Sequence, residues 1–170
     1  MRCRETARLT MTALVLVAVL SAAACSTDGS LAQRQVEVAE RGAEVMPFDL
    51  DATTHVFTKT EAGGIQVVTA DDPDDGRQIG LIREHLREER DKFASGDFDD
   101  PASIHGHDMP GVEEFAAGYA DIRVDYSDEP AGARLNYTTD DPELIDALHS
   151  WFDRQLVDHG DDAEAGMPAT

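Results

Sequence analysis

Apolar positions in the second half of the chain fall into two periods. Ile122, Val124, Tyr126, Leu135 and Tyr137 alternate with Arg123, Asp125, Arg134 and Asn136. That spacing predicts two half-buried strands with the apolar set facing a core. Ile145, Leu148, Phe152 and Leu156 then recur at helical spacing with Trp151 beside them, which predicts a helix from about Glu143 to Val157. The Trp151/Phe152 pair reads as core. An earlier stripe of Ile79, Ile82, Leu86 and Phe93 predicts a helix from about Asp74 to Phe93.

The two halves align as an internal repeat. Phe57 to Pro73 matches Tyr126 to Pro142, with Ala-Gly at one shared offset and Thr-x-Asp-Asp-Pro at the end of each copy. Each copy reads strand, glycine turn, strand, helix. Asp72 and Asp141 suit the N-cap, Pro73 and Pro142 the first helical position. Asp74, Asp75 and Glu143 favour the positive helix end. These acids therefore read as caps before they read as catalytic pairs. The expected fold is α+β: a two-layer sandwich with an antiparallel sheet from two ββα repeats and the helices on one face. Neither half alone buries enough surface to stand by itself, so residues 46–160 read as a single domain.

Three segments fall outside that pattern. Residues 25–45 read as a small, polar tether from Ser26 to about Gln33, followed by a weak helix marked by Val36, Ala39 and Ala43. Residues 94–118 read as an inserted loop containing Ile104-His105-Gly106-His107-Asp108-Met109-Pro110-Gly111, followed by a short helix with Val112, Phe115, Ala116 and Tyr119 on one side. An insert this long in a small domain is either functional or loose. Residues 161–170 read as a disordered acidic tail.

The first 24 residues read as a signal peptide: a basic start at Arg2, Arg4 and Arg8, an apolar run from Met11 to Leu20, then Ser21-Ala22-Ala23-Ala24 before Cys25. Leu20-Ser21-Ala22-Ala23-Ala24-Cys25 resembles the lipobox of bacterial lipoproteins, with Ala22 where that family usually has Leu. The resemblance implies that Cys25 is lipidated and becomes the first residue of the mature chain. An ordinary signal peptide cut near Ala24 is the rival reading. Lipidation would tether the protein to the outer, extracytoplasmic face of the cell membrane, since several acyl chains exceed the marginal single-chain anchor.

Composition narrows the function. The 170 residues carry 14 Lys+Arg against 35 Asp+Glu, a formal net charge of −21. Nucleic acid is excluded as a partner, because phosphate binding needs clustered cations. A polybasic membrane contact is excluded for the same reason. No apolar run reaches the roughly 18 residues of a transmembrane helix. Of the 2 cysteines, Cys3 leaves with the signal and Cys25 is taken by lipid, so the mature chain has no disulfide, no thiol nucleophile and no thiolate metal site.

Several stretches together resemble a group of small actinobacterial secreted lipoproteins: Met46-Pro47-Phe48-Asp49-Leu50, Thr53-Thr54-His55-Val56-Phe57, Gly96-Asp97-Phe98, Ile104 to Gly111, and Trp151-Phe152-Asp153-Arg154-Gln155 with Asp158-His159-Gly160. The resemblance covers nearly all of residues 45–160 and implies location and a single folded unit. It implies no mechanism. Members of that group sometimes carry the label aspartate carbamoyltransferase. The Ser-Thr-Arg-Thr phosphate loop and His-Pro-x-Gln motif of that enzyme family do not occur here.

Candidate chemistry rests on the 6 histidines. His105-x-His107-x-Met109 puts two imidazoles and a thioether within one loop, a donor set suited to copper, or to zinc if Asp108 replaces the sulfur. His85 with Glu89 and His149 with Asp153 stand at i,i+4 on helix faces, where they could hold a metal or simply pair. His55 aligns with the core position Val124 and so points toward the helices. The candidate metal ligands are therefore His105, His107, Met109, His55, His85 and His149. Each also has a bland reading: a solvated loop, a hydrogen-bonded core histidine, a surface pair. His159, before Gly160, reads as a helix C-terminal cation. There is no Gly-x-Ser-x-Gly, Walker loop, His-Glu-x-x-His or dinucleotide glycine fingerprint. The expected function is a non-enzymatic, membrane-anchored binding domain with a transition metal as candidate ligand. The alternatives are an envelope protein-interaction lipoprotein, its protein partner unidentified, and a small hydrolase or transferase using His55 or His149 as base.

Overall fold

The computed structural model describes residues 21–167, with side chains from Gly29 onward. Most of the expected signal peptide, the Cys25 side chain and residues 168–170 lie outside that description.

The fold is α+β, with helices α1 (Ser21–Val45), α2 (Gly76–Ala94), α3 (Asp99–His105), α4 (Val112–Gly118) and α5 (Pro142–His159), and strands β1 (Thr53–Thr60), β2 (Gly63–Ala70), β3 (Arg123–Glu129), β4 (Gly132–Thr138) and β5 (Ala163–Ala165). The sheet order is β3-β4-β2-β1-β5. Hairpin β1–β2 closes on Thr60 opposite Gly63, hairpin β3–β4 closes on Glu129 opposite Gly132, and β2 meets β4 antiparallel with Gln66 opposite Leu135.

The sheet is mixed, not antiparallel throughout, because β5 runs parallel to β1. This also corrects the expected tail. Gly160, at φ 58°, ends α5, a 3-10 turn follows, and residues 163–165 pair with His55, Val56 and Phe57. The free edge of β1 offers backbone groups that need partners, and this segment supplies them.

The core forms where one sheet face meets α2, α4 and α5. Phe57, Val68, Val124, Leu135 and Tyr137 pack with Ile82, Leu86 and Phe93 of α2, Leu148, Trp151 and Phe152 of α5, and Phe115 of α4. Trp151 stands edge-on to Phe93 at 6.0 Å and to Tyr137 at 5.8 Å between ring centroids. Gly64 makes room for α5: a Cβ there would lie 2.5 Å from the Phe152 ring. Asp141 caps α5 at Glu143 N with Pro142 just inside, as expected. On α2 the cap is Asp75, which accepts from Arg77 N and Gln78 N, while Asp72 closes the preceding turn at Asp74 N. That helix therefore starts later than expected.

Two segments are more ordered than their composition suggests. Ser26 to Gln33 is helical rather than an extended tether. The helix it belongs to lies on α3 and α5, with Val38 buried and Arg34 and Gln35 bonded to α5. Residues 94–118 are not an open loop. They form α3 and α4 and bury Phe98, Ala102, Ile104, Met109, Val112 and Phe115. Their apolar side chains complete the core, which is why the insert holds its shape. Among the described residues no helix is long and apolar enough to cross a membrane.

Candidate ligand cavity

The loop cluster does not form a metal site. His105 is buried at the end of α3, His107 points to solvent and Met109 packs into the core. The α3 helix and the turn after it send these three side chains in different directions, so spacing along the chain did not become proximity in space. His149 is also spoken for. Its Nε2 donates to the carbonyls of Gly63 at 2.9 Å and Thr60 at 3.1 Å, tying α5 to the β1–β2 turn, while Asp153 pairs with Lys59 instead. Among the described residues, no group of three or more His, Cys, Asp or Glu side chains is disposed to hold a metal ion.

Three imidazoles do meet, His105 among them. β1 presents His55 on its core face, α3 delivers His105 at its last residue, and α5 delivers His159 at its own. The His159 ring stacks on His55 at 5.4 Å and 15°, and meets His105 edge-on at 5.2 Å. His105 Nδ1 donates to Asp158 Oδ2 at 2.8 Å. Asp158, fully buried, also accepts from Arg34 at 2.6 and 2.8 Å and forms an ion pair with Arg154 at 2.8 Å. Arg34 Nη2, which makes the 2.8 Å bond to Asp158, also donates to the His105 carbonyl, so α1 locks the pair from outside. Burial would raise the Asp158 carboxyl, but its hydrogen bonds to His105 and Arg34 outweigh that and hold it below the usual range.

Burial lowers His55 to about 4, helped by the proximity of His85 and His105. Burial, then His55 and His105, lowers His159 to about 3. Both rings are therefore uncharged at neutral pH. They separate an inner cavity of ≈ 50 Å³ from an outer groove of ≈ 350 Å³ lined by α1, Leu50 and residues 158–162, and both rings line each space.

The far wall of the inner cavity belongs to α2 and α3. His85 and Glu89 line it one helical turn apart, with Phe48 edge-on to His85 at 5.6 Å. Lys92 bridges Glu89 at 3.0 Å and Asp100. Burial, then the neighbouring Asp100 carboxyl, pushes Glu89 up to about 8, so it is a neutral acid at pH 7. Burial and the Lys92 charge lower His85.

Of the sequence candidates, His55, His105 and His85 line the cavity; His107, Met109 and His149 do not. Sequence reasoning took His159 as a cap and passed over Asp158, Arg34 and Gln155. One signal was available. The buried face of α5 runs Leu144, Leu148, Trp151, Gln155, Asp158, so the apolar stripe turns polar where the helix reaches the cavity.

Comparison with protein-family models, with curated proteins and with solved structures finds no match to this chain.

Proposed function

We propose that this chain is a lipoprotein domain, anchored through Cys25 on the extracytoplasmic face of a membrane, that binds a small ligand in the histidine-walled cavity without transforming it. The signal-like first 24 residues and the resemblance to small secreted lipoproteins support the location. We also read the fold as two copies of one ββα unit in a two-layer sandwich. The matching hairpin registers and the meeting of Gln66 with its repeat counterpart Leu135 favour that reading.

The observation that carries the binding reading is the meeting of His55, His105 and His159, remote in sequence, ring against ring, with His55 and His159 uncharged and lining both the inner cavity and the outer groove. Buried polar groups are costly, and titratable groups strongly shifted by burial and by one another cluster at functional sites. Copper or zinc is one candidate ligand, because imidazoles ligate as neutral rings and the His105–Asp158 bond is the kind that orients a metal-binding histidine. Bringing three nitrogens onto one ion requires turning His55 and His159 out of their stack.

Two measurements test the proposal. Cys25→Ser should release the protein from the membrane fraction; retention of the variant would overturn the anchor. Native mass spectrometry of the full-length protein from membranes should find a bound low-mass species or metal ion, lost in His105→Ala. An empty protein that takes up neither copper nor zinc at concentrations up to about millimolar would overturn binding and leave a protein-interaction or envelope-structural role.

A second reading rests on the His105–Asp158 bond. A carboxylate that orients an imidazole is the general-base arrangement of hydrolases. No Ser, Thr or Cys lines the inner cavity, so the nucleophile there would be water. Hydrolysis of small activated esters that is lost in His105→Ala would favour this reading.

A further inference from the structure

The inner cavity is walled by more than its histidines, and its unpaired atoms describe what would fit. Among buried side-chain atoms, three that have no hydrogen-bond partner belong to residues lining this one cavity: His55 Nδ1, Trp151 Nε1 and Gln155 Oε1. The three residues are 3%, 2% and 6% exposed, so bulk water does not satisfy them. Orphaned buried groups are rare and each costs free energy until something pairs with it. They are also chemically distinct. Indole Nε1–H can only donate, and the Gln155 carbonyl oxygen can only accept. Trp151 and Gln155 stand one turn apart on the same face of α5, with His159 a further turn along.

We propose that this cavity binds a small uncharged molecule carrying a primary carboxamide or urea group, whose carbonyl accepts from Trp151 Nε1 and whose N–H donates to Gln155 Oε1. A group with an acceptor and a donor side by side matches the two orphans; His55 Nδ1 serves a second N–H. The size agrees. At about 10–15 Å³ for each water-sized position, ≈ 50 Å³ admits about three to five non-hydrogen atoms. The electrostatics agree as well, since His55, His159 and Glu89 are all uncharged at pH 7, and the Asp100 and Asp158 carboxylates are already paired with Lys92 and Arg34, so an ion would find no spare counter-charge. The aromatic rings of Phe48, Phe57 and Phe93 cover the rest of the ligand.

This inference rests on the cavity being a binding site and adds the chemical class. The chain holds a single tryptophan, so the indole N–H gives one resonance that needs no assignment. We would titrate acetamide, and separately its charged isostere acetate, into the full-length ¹⁵N-labelled protein in mild detergent and follow that peak. Expected are a saturable shift with acetamide, none with acetate, and an affinity for acetamide weakened roughly tenfold to a hundredfold by Gln155→Met, the effect of stranding one buried hydrogen bond. An indole peak unmoved by acetamide up to about 100 mM overturns the proposal. So does an equal response to acetate, or an affinity unchanged in Gln155→Met. Long-lived water at the indole that acetamide does not displace also overturns it, since the cavity would then be a hydrated void. The wild-type comparison stands whether or not the variant folds. Failure with acetamide while native mass spectrometry still finds a bound species removes only the chemical class; failure of both removes the site.

Discussion

The buried titratable groups predict a stability profile with a maximum near pH 6.5. His55 and His159 are held at about 4 and about 3 in the fold against 6.5 when exposed. Glu89 is held at about 8 against 4.5. Below pH 6.5 the unfolded chain takes up two protons that the folded histidines refuse, so their contribution is lost as pH falls toward their folded values. Glu89 acts in the opposite sense. Between pH 4.5 and 8 the fold keeps a proton that the unfolded chain has released, so its contribution is lost as pH rises through 8. Each proton of difference is worth about 1.36 kcal/mol per pH unit. Between pH 4.5 and 6.5 the net difference is one proton, and stability should climb by about 1.4 kcal/mol per unit. From pH 6.5 to 8 only Glu89 acts, and stability should fall by roughly 2 kcal/mol. Below pH 4.5 Glu89 no longer opposes the histidines, and the acid slope steepens to about 2.7 kcal/mol per unit until the folded rings begin to protonate. The lowered His85, Asp100 and Asp158 all add to the acid limb. Urea denaturation at half-unit pH steps and fixed ionic strength reads this directly. Glu89→Gln should flatten the alkaline limb and roughly double the slope between pH 4.5 and 6.5, where Glu89 no longer offsets one of the two histidine protons. A wild-type profile flat between pH 6.5 and 8, or an alkaline limb that survives in Glu89→Gln, would refute the reasoning.

Three substitutions test the packing around the cavity. Asp158→Asn strands Arg34, Arg154 and His105; because both arginines keep about a third of their exposure, the cost should sit at the low end for a broken buried pair, about 3 kcal/mol, seen as a melting temperature lower by about 10 °C. Gly111→Ala should cost about 2 kcal/mol or more, because Gly111 sits at φ 84° and a Cβ would lie 2.1 Å from the Ala147 carbonyl oxygen; a change under half of that in urea denaturation would contradict it. His107→Ala should stay within about 0.5 kcal/mol of wild type and leave binding in the cavity unchanged, since its side chain is exposed; loss of ligand in that variant would restore the loop as the site.

The strands and main helices were legible because their packing repeats a simple period. Val124, Leu135 and Tyr137 alternate, and Ile79, Ile82 and Leu86 recur at helical spacing, so hydrophobicity alone locates the core face. The weak helix at Val36, Ala39 and Ala43 and the short helix at Val112 and Phe115 were legible in outline, but the extension of α1 back through Ser26–Gln33, the α3 helix and the docking of both segments were not. Their apolar residues are few, and what orders them is contact with remote parts of the chain: Arg34 with Asp158, and Phe98 and Phe115 with Phe93 and Trp151. β5 was invisible for the same reason, since three acidic and small residues become a strand only beside the open edge of β1.

Local sequence thus determined the fold class, the α5 cap at Asp141 and the inward aim of His55, because propensity, capping and alternation act over a few residues. Only the tertiary structure decided which histidines share a wall. His105 and His107 are two residues apart and face different surroundings, whereas His55, His105 and His159 are joined by a strand edge, a helix end and the far terminus of another helix. Such a meeting depends on how whole elements stack, and that depends on burial summed over the core rather than on any short run of residues.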